Sequence, residues 1–423
     1  MVYSYLELSF CLELFDKNQQ DNLPMKKRTM LGTLVLFGVL LLSSNVLAQD
    51  TIRIGYAVSK SGANAGGAAA STIPNYELWV HEVNERGGLM LEGGRVPIEV
   101  VEYDDRSSSE EAVRAAERLI VQDEVDLVLP PWGTSMNLAM APILSRHGYP
   151  HLAVAAVTDR AYELSERWPN LFFYEGTSSE IAGAAIEAFA EMRDTGEIGS
   201  RIAMIGISDS FGIELTTAAR SLADDLGFEL VYDRAYPVGH QDFTLMLNEI
   251  KALEPDVFLA FSYPPDTLTM TEQARLQDFN PPVYFASIGT SFPLFLERNG
   301  GNAEGVMGVG GVNGDNPLMQ DYIARHAELA GFEPDRFTSP LTYASLEILE
   351  QAIERAGSID HEAIVAEMQD GTFETILGEV RFENNMLKDI FFVGQWQDGE
   401  FQGIAPTDIE GARAPIVPKP EWQ

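Results

Sequence analysis

Cysteine and positive charge are both scarce in this sequence of 423 residues. It contains one cysteine, Cys11, and 28 lysines and arginines against 64 aspartates and glutamates, which gives a formal net charge of −36. A single cysteine excludes an intramolecular disulfide framework and a thiolate metal site. So acidic a surface would be repelled by phosphate backbones and anionic lipid head groups, which argues against nucleic-acid and peripheral membrane roles. We interpret the charge as a solubilising surface suited to a salty exterior.

Long apolar runs are missing as well, and the one candidate for a membrane segment lies near the start of the chain. It runs from Met30 to Leu42, thirteen residues, whereas a transmembrane helix needs about 20. The run follows the basic stretch Met25–Arg28 and precedes Val46 and Ala48. This order is typical of a cleaved secretory signal, although the run alone would also suit a buried core helix.

We therefore expect residues 25–48 to be a signal peptide cleaved before Gln49, and residues 1–24 to be an upstream extension. Cys11 lies in that extension, so the mature chain would carry no cysteine and no lipid anchor is expected. The charges of residues 1–48 cancel, so the acidic excess belongs to the mature domain.

Motifs of catalysis and metal binding are absent too. The sequence has no G-x-S-x-G elbow, Walker loop or HExxH motif. The glycine cluster Gly308–Gly314 has no βα partner after it, so we interpret it as a flexible connection rather than a nucleotide loop. His147 and His151 are separated by Gly148 and Pro150, which predicts a helix end and a strand start, not a zinc pair. We expect no enzyme activity, no cofactor and no metal site.

What the chain does have, from Thr51 onward, is an alternation of short apolar runs with longer amphipathic stretches, which predicts α/β modules around parallel sheets. Two modules follow one another, and the segment after Gly305 is expected to return and complete both. The last segment, Ala405–Gln423, reads as a surface tail. The predicted elements include the following: strand Ile52–Val58, helix Thr72–Arg86, helix Ser109–Val121, strand Val257–Phe261, strand Gly378–Phe382 and strand Ile390–Gln397.

Polar and aromatic residues follow several predicted strands, at the edge where open α/β sheets bind ligands. The stretches are Ser59–Gly67, Trp132–Ser135, Ala155–Asp159, and Ser262–Asp266 with Ser287–Thr290. Backbone N–H groups at the start of the helix after Trp132 suit a ligand carboxylate, with Thr158 as a second donor. The alternative is that Thr134, Ser135 and Thr158 only cap helices, and that Tyr263 only packs.

With these stretches in view, the chain resembles the type I periplasmic binding proteins of the leucine/isoleucine/valine-binding family. The motifs that carry the resemblance are Ile52-Arg53-Ile54-Gly55, Val83-Asn84-Glu85-Arg86-Gly87-Gly88, Glu102-Tyr103-Asp104-Asp105, Ala303-Glu304-Gly305-Val306 and Leu341-Thr342-Tyr343-Ala344-Ser345. The resemblance covers about Thr51 to Gly399.

The resemblance implies an α/β fold of two doubly wound parallel-sheet lobes joined by a three-crossover hinge. The expected N-terminal lobe is 51–173 plus 312–371, and the expected C-terminal lobe is 177–307 plus 372–400, followed by a tail at 401–423. It further implies a substrate-binding component of an ABC importer in the periplasm, a monomer that captures a small carboxylate-bearing solute such as a branched-chain amino acid. A small-molecule ligand and an ABC permease in the inner membrane are the expected partners, without nucleic acid.

The implied carboxylate site is the loop Trp132–Ser135 together with Val157 and Thr158. Tyr263 lies at or beside the aromatic position that meets an amino acid's ammonium, but Ile288 occupies the position of the acidic residue. Either Asp266 or another acid substitutes, or the ligand is an aromatic or short aliphatic acid without an amine. The candidate ligand-binding residues are Ser61, Trp132, Thr134, Ser135, Val157, Thr158, Tyr263, Asp266, Gly289 and Tyr343.

Two further hypotheses stay open on the sequence alone. The same fold serves ligand-sensing receptor domains, which present their closed form to a membrane receptor. Abundant carboxylates and hydroxyls at strand ends leave a secreted hydrolase as the alternative from another class.

Overall fold

The computed structural model describes residues 51–423, and the predicted extension and signal peptide lie outside them. The described chain forms one compact unit that contains two α/β lobes. The elements of the first lobe up to the first crossover are β1 (Ile52–Val58), α1 (Ile73–Glu85), β2 (Leu89–Leu91), β3 (Gly94–Val96), β4 (Ile98–Asp104), α2 (Ser109–Val121), β5 (Leu127–Leu129), α3 (Thr134–His147), β6 (His151–Ala153), α4 (Ala161–Arg167) and β7 (Leu171–Phe173).

The second lobe follows in the chain, and later segments complete both lobes. Its first elements are α5 (Ser178–Asp194), β8 (Arg201–Ile207), α6 (Ser210–Asp225), β9 (Glu229–Tyr236), α7 (Thr244–Lys251), β10 (Val257–Phe261), α8 (Pro264–Leu276), β11 (Val283–Ala286), α9 (Pro293–Asn299) and β12 (Met307–Val309). The later elements are α10 (Pro317–Ala330), α11 (Thr338–Ala356), α12 (His361–Asp370), β13 (Thr372–Thr375), β14 (Gly378–Glu383), β15 (Met386–Leu387), β16 (Val393–Gln397) and β17 (Glu400–Ala405).

The core strands are parallel and apolar because helices cover both faces of each sheet. In the first lobe β1 pairs in parallel with β4 and β5, and β6 pairs in parallel with β7. The second sheet has the order β17-β16-β12-β11-β10-β8-β9, and all five residues of β10 are buried. Along α2 the buried residues Ala112, Ala116, Leu119 and Ile120 recur at helical spacing, which fixes the face that packs.

The chain crosses between the lobes three times, after β7, after β12 and after β15. This confirms the expected fold of two parallel-sheet lobes with a three-crossover hinge. No helix within residues 51–423 has the length and apolar character needed to cross a membrane.

Strands β13 to β15 are placed differently from the expectation that 372–400 belongs to the second lobe. β14 pairs with β13 and β15, and Met386 of β15 pairs in parallel with Phe173 of β7. Residues 372–387 therefore extend the first lobe's sheet, and only β16 and β17 join the second. The local sequence pattern predicts that residues 378–382 form a strand. It does not predict which sheet the strand joins, because that depends on packing between distant segments.

The C-terminal segment is also more than the surface tail that was expected. Residues 400–405 form β17, which pairs with β16. Further on, Lys419 is buried, its Nζ lies 3.3 Å from the centroid of the Trp422 ring, and the indole N–H of Trp422 donates to the Phe279 carbonyl. The segment is thus docked on the second lobe through aromatic and backbone contacts.

The glycine cluster 308–314 is not a flexible connection throughout. Its first residues belong to β12, which lies between β11 and β16 in the middle of the second sheet. Beyond the strand, Gly311 donates its N–H to the Arg336 carbonyl at 2.8 Å. The cluster is a central strand followed by the second crossover.

The helix predicted at Thr72–Arg86 begins earlier and irregularly. A short helix at Ala65–Gly67 continues into a π-helical turn at Ala68–Thr72, which leads directly into α1. Such turns are rare and recur at functional sites. This one places Gly67 at the carboxyl edge of the first sheet.

Candidate functional site

The carboxyl ends of the parallel strands of both lobes meet at one cleft, where several side chains touch across the gap. Trp132, after β5, packs edge-on against Tyr263, after β10, with 5.2 Å between ring centroids. The hydroxyl of Ser135 lies 3.4 Å from that of Ser210, at the start of α6. These loops face the opposite lobe, so a ligand held at the strand ends would lie between the two lobes.

Three rings form a continuous aromatic wall that spans the two lobes at the cleft: Trp132, Tyr263 and Phe211. Tyr263 stacks on Phe211 with centroids 5.1 Å apart and an interplanar angle of 21°. Trp132 is only 3% exposed and lies directly on Gly67. A Cβ atom at Gly67 would come within 2.3 Å of the Trp132 ring, so the residue just before the π-helical turn must lack a side chain. The wall is held in place from both lobes.

The helix α3 begins beside Trp132 without a side-chain cap. Thr134 does not cap it, because its hydroxyl accepts from the Val157 N–H at 3.1 Å and lies 3.3 Å from the Val157 carbonyl. The first N–H groups of a helix have no partner within the helix, and they favour an anion. The indole N–H of Trp132 also has no hydrogen-bond partner among residues 51–423, although it is buried. Donors without a protein partner are thus present both on Trp132 and at the start of the helix that follows it.

Thr158 is engaged by the other lobe. Its hydroxyl donates to Glu214 Oε1 at 3.0 Å, and the Asp159 N–H donates to Glu214 Oε2 at 2.8 Å. The Ser178 hydroxyl adds a third bond to the same carboxylate at 3.2 Å. Glu214 of α6 therefore bridges the two lobes. It accepts the hydrogen bond of the Thr158 hydroxyl, which the sequence analysis assigned to the ligand carboxylate.

Asp266 and Gly289 lie behind the aromatic wall. Asp266 accepts from the Tyr236 hydroxyl at 3.2 Å, and burial raises the pKa of its carboxyl group to about 6. Gly289 has a φ of +100°, and a Cβ atom there would stand 2.6 Å from the Cα of Pro264. These residues fix the loop that carries Tyr263, and Asp266 is partnered by Tyr236 instead of lying open in the cleft.

Ser61 and Tyr343 are not brought to the wall. The exposed Ser61 donates its hydroxyl to Asp104 at 2.7 Å, which ties the loop after β1 to the end of β4. The Tyr343 hydroxyl donates to Glu82 and accepts from Arg325 at 3.0 Å. Tyr343 belongs to a network between α1, α10 and α11. It was a candidate because it lies in a motif of the family, but its hydroxyl does not contact the other candidate residues.

A groove of about 1070 Å³ lies elsewhere, along the second and third crossovers. Its lining includes Glu180, Phe337, Arg381 and Lys388 and contains none of the predicted site residues. Lys388 is paired with Glu180 at 2.8 Å and Arg381 with Glu383 at 3.0 Å, so its cations are already matched. Size alone does not make it the ligand site, because the unpartnered donors lie at the cleft.

A family model described as periplasmic binding protein matches residues 51–400 of the chain, which is most of its length. The chain belongs to the periplasmic binding protein family. Its fold is the type I form, and it is a solute-binding protein, not an enzyme.

Relatives of this periplasmic binding protein are distant in sequence. A Leu/Ile/Val-binding protein homolog from Brucella suis is 22% identical over 361 residues, which cover 84% of this chain and 92% of that protein. The LivJ substrate-binding protein of Streptococcus pneumoniae, solved with isoleucine, has a TM-score of 0.71 at 20% identity and covers 88% of this chain and 100% of that one. A solute-binding protein of Rhodopseudomonas palustris, solved with 3,4-dihydroxybenzoic acid, has a TM-score of 0.72 at 20% identity, covering 88% and 99%. At these identities the structures share the fold.

Sequence reasoning missed the start of α6 in this binding protein. Asp209 accepts from the Tyr263 hydroxyl at 2.9 Å and caps α6 through Gly212, and burial raises the pKa of its carboxyl group. Phe211 and Glu214 lie among the first five residues of the helix. The signal was present, because Ser208–Phe211 follows a buried strand just as the four selected stretches do. The loop after β8 thus follows the same strand-end pattern.

Metal binding gains no support from the arrangement of side chains. Within residues 51–423 no three His, Cys, Asp or Glu side chains are grouped so that they could hold an ion. His147 ends α3 and His151 begins β6, as the intervening Gly148 and Pro150 predicted.

Proposed function

We propose that this protein is the substrate-binding component of an ABC importer and captures a small carboxylate-bearing solute in the periplasm. The supporting observation is the set of unpartnered donors at the cleft: the uncapped start of α3 and the buried indole N–H of Trp132. A helix N-terminus attracts anions, and a buried donor without a partner costs about 1–3 kcal/mol until a ligand satisfies it.

Capture takes place by closure of the lobes about the three crossovers. The ligand favours the closed state because it contacts Trp132 on one lobe and Tyr263 on the other, and these contacts exist together only when the lobes meet. For a Kd of roughly 1 μM the total needed is about 8 kcal/mol. Two or three charge-assisted hydrogen bonds and the burial of a small apolar group supply that amount.

The ligand we propose is a branched-chain or related amino acid, by analogy with the Leu/Ile/Val-binding relatives. A second candidate is an aromatic acid without an amine, which the wall of Trp132, Tyr263 and Phe211 would suit by ring stacking. The benzoate-type ligand of the Rhodopseudomonas neighbour belongs to a protein with the same fold. In either case we propose an ABC permease as the partner of a monomeric binding protein.

The test is a thermal-shift screen of the mature chain against amino acids and aromatic acids, followed by titration calorimetry. A true ligand at 100 times its Kd stabilises the folded protein by about 2.7 kcal/mol, which is a readily measured rise in Tm. The capture of a carboxylate is refuted if no small carboxylate raises the Tm at millimolar concentration. Turnover of a bound compound after repurification would favour a hydrolase instead.

A further inference from the structure

Glu175 is a buried carboxyl group that the site described so far does not use. It lies two residues after β7, the neighbour of β6, so it stands at the same carboxyl edge of the first sheet as the loop after β6. The residue is 3% exposed, and its Oε1 atom has no hydrogen-bond partner among the described residues. The Ala155 amide and the Thr338 hydroxyl lie close to the carboxyl group and favour its ionised form.

The surroundings of Glu175 are electrostatically unfavourable for a second negative charge. Burial, with a further contribution from the Asp335 carboxyl group, raises the pKa of Glu175 to about 8. Asp335 is itself buried; it accepts from the backbone of Phe337 and Ser339 and from the Ser339 hydroxyl, and burial raises its pKa as well. A positive charge beside Glu175 would satisfy its open oxygen atom and reduce the repulsion from Asp335.

One loop, the segment after β6, connects Glu175 with the start of α3. The Ala155 N–H lies beside the Glu175 carboxyl group, and two residues further on the Val157 N–H donates to the Thr134 hydroxyl at 3.1 Å. The carboxyl group and the helix start are therefore neighbours along the same loop. A ligand that carries both a carboxylate and a cationic nitrogen suits this pair of groups.

We infer that Glu175 is a specificity-determining residue of the cleft and meets a positively charged nitrogen of the ligand. This inference rests on the proposed capture of a carboxylate, and it selects ligands that carry an ammonium or quaternary nitrogen over amine-free acids. The countercharge is thus supplied at the first crossover and not by Asp266, which Tyr236 already engages.

Binding of a cationic ligand is expected to release a proton from Glu175. In the free protein at pH 7 the Glu175 carboxyl group is mostly protonated, because pH 7 lies below its raised pKa. A bound cation stabilises the carboxylate, so the group ionises and about one proton leaves for each cation bound. An amine-free acid brings no cation and releases no such proton.

The experiment compares matched pairs of ligands that differ in the nitrogen. Leucine, phenylalanine and glycine betaine are titrated beside 4-methylpentanoate, 3-phenylpropanoate and acetate, with the wild type and with Glu175→Gln. The neutral amide keeps the shape of the side chain, and circular dichroism with Tm checks that the variant folds. Glu214→Gln is the matched control, because that cleft carboxylate is already bound by protein donors.

We expect at least one nitrogen-bearing ligand to bind the wild type, and Glu175→Gln to weaken it by 10-fold to 100-fold while the amine-free partner changes less than 3-fold. Glu214→Gln should weaken both members of a pair alike. Calorimetry of the wild type in buffers of different ionisation enthalpy should show proton release with the nitrogen-bearing ligand only.

Three results would overturn the inference. In the first, amine-free acids bind the wild type more tightly than their nitrogen-bearing partners, and the proposed capture of a carboxylate then survives without Glu175. In the second, Glu175→Gln leaves every affinity unchanged. In the third, no carboxylate of either kind binds, so that the proposed function fails and the inference falls with it.

Discussion

The two edges of the cleft are chemically different. The first lobe presents hydrogen-bond donors: the start of α3, the indole of Trp132, and the Thr158 hydroxyl with the Asp159 N–H. The second lobe presents rings and carboxylates, namely Tyr263, Phe211, Asp209 and Glu214. The edge of the first lobe offers donors that suit an anion. The edge of the second lobe offers aromatic surface, and its Glu214 carboxylate accepts hydrogen bonds from the first lobe.

The contrast also divides the donors of the first lobe into two groups. Thr158 and Asp159 already serve a carboxylate, that of Glu214, whereas the Trp132 indole has no partner among the described residues. Under the proposed function, we expect the first group to act on lobe closure and the second on the ligand. Substitutions in each group should separate the two effects.

The largest effect is expected from Trp132→Ala. The change removes one of the three rings of the wall together with the unpartnered donor, so we expect a loss of at least about 100-fold in ligand affinity, or about 3 kcal/mol. Trp132→Phe keeps an aromatic ring and loses the N–H. Its ligand affinity, measured by titration calorimetry, should lie between those of the wild type and Trp132→Ala. An affinity within 3-fold of the wild type for Trp132→Ala would place the ligand elsewhere.

A smaller effect, on stability, is expected from Gly289→Ala. The substitution forces a side chain into a positive φ and against the backbone of Pro264, so we expect a loss of about 2–3 kcal/mol in the free energy of unfolding. Gly227→Ala is the control: it has a φ of +77° with no atom within 4 Å, and it should cost about 1 kcal/mol. Urea denaturation measures both. Equal losses of unfolding free energy in the two variants would show that the loop that carries Tyr263 can shift to accommodate the added side chain.

Glu214→Gln tests the bridge between the lobes. An amide keeps one acceptor oxygen and loses the charge, so we expect the closed state to lose about 1 kcal/mol and every ligand to bind about 5-fold more weakly. Small-angle scattering of the unliganded variant should report a larger radius of gyration than the wild type. An unchanged radius with unchanged affinity would remove Glu214 from the closure mechanism.

The smallest effect on binding is expected from Tyr343→Phe. Its hydroxyl serves Glu82 and Arg325, away from the aromatic wall, so ligand affinity should stay within 2-fold of the wild type. The unfolding free energy should fall by about 1 kcal/mol, because a partly buried network loses a member. A 10-fold loss of affinity with no loss of stability would return Tyr343 to the site.

Local pattern was sufficient for much of the fold. The apolar run Ile52–Val58, the amphipathic stretch Ser109–Val121 and the buried run Val257–Phe261 have the bounds in the structure that periodicity predicts. Each is decided by the side chains within the element. The pairing of Met386 with Phe173 and the docking of Trp422 on Phe279 depend on partners about 200 and 143 residues away, and local periodicity carries no information about them.

The same division applies to the site. The strand-end rule selected Trp132 and Tyr263, which the structure brings together, because chain direction in a parallel sheet fixes the edge where loops emerge. It did not show that the Thr158 hydroxyl would be used by Glu214, since that depends on how far the lobes close. Glu175 was missed because a lone acid after an apolar strand resembles any surface carboxylate until its burial is known.

The π-helical turn at Ala68–Thr72 has a consequence for how such a cleft can change over evolutionary time. A turn of this kind holds one more residue than an α-turn, and one residue of helix corresponds to a rotation of about 100°. If one residue were deleted there, α1 would keep Tyr76, Trp79 and Val83 in the core, but Gly67 would swing out from beneath the indole. A single codon thus separates this arrangement from a plain helix that leaves no room for a tryptophan.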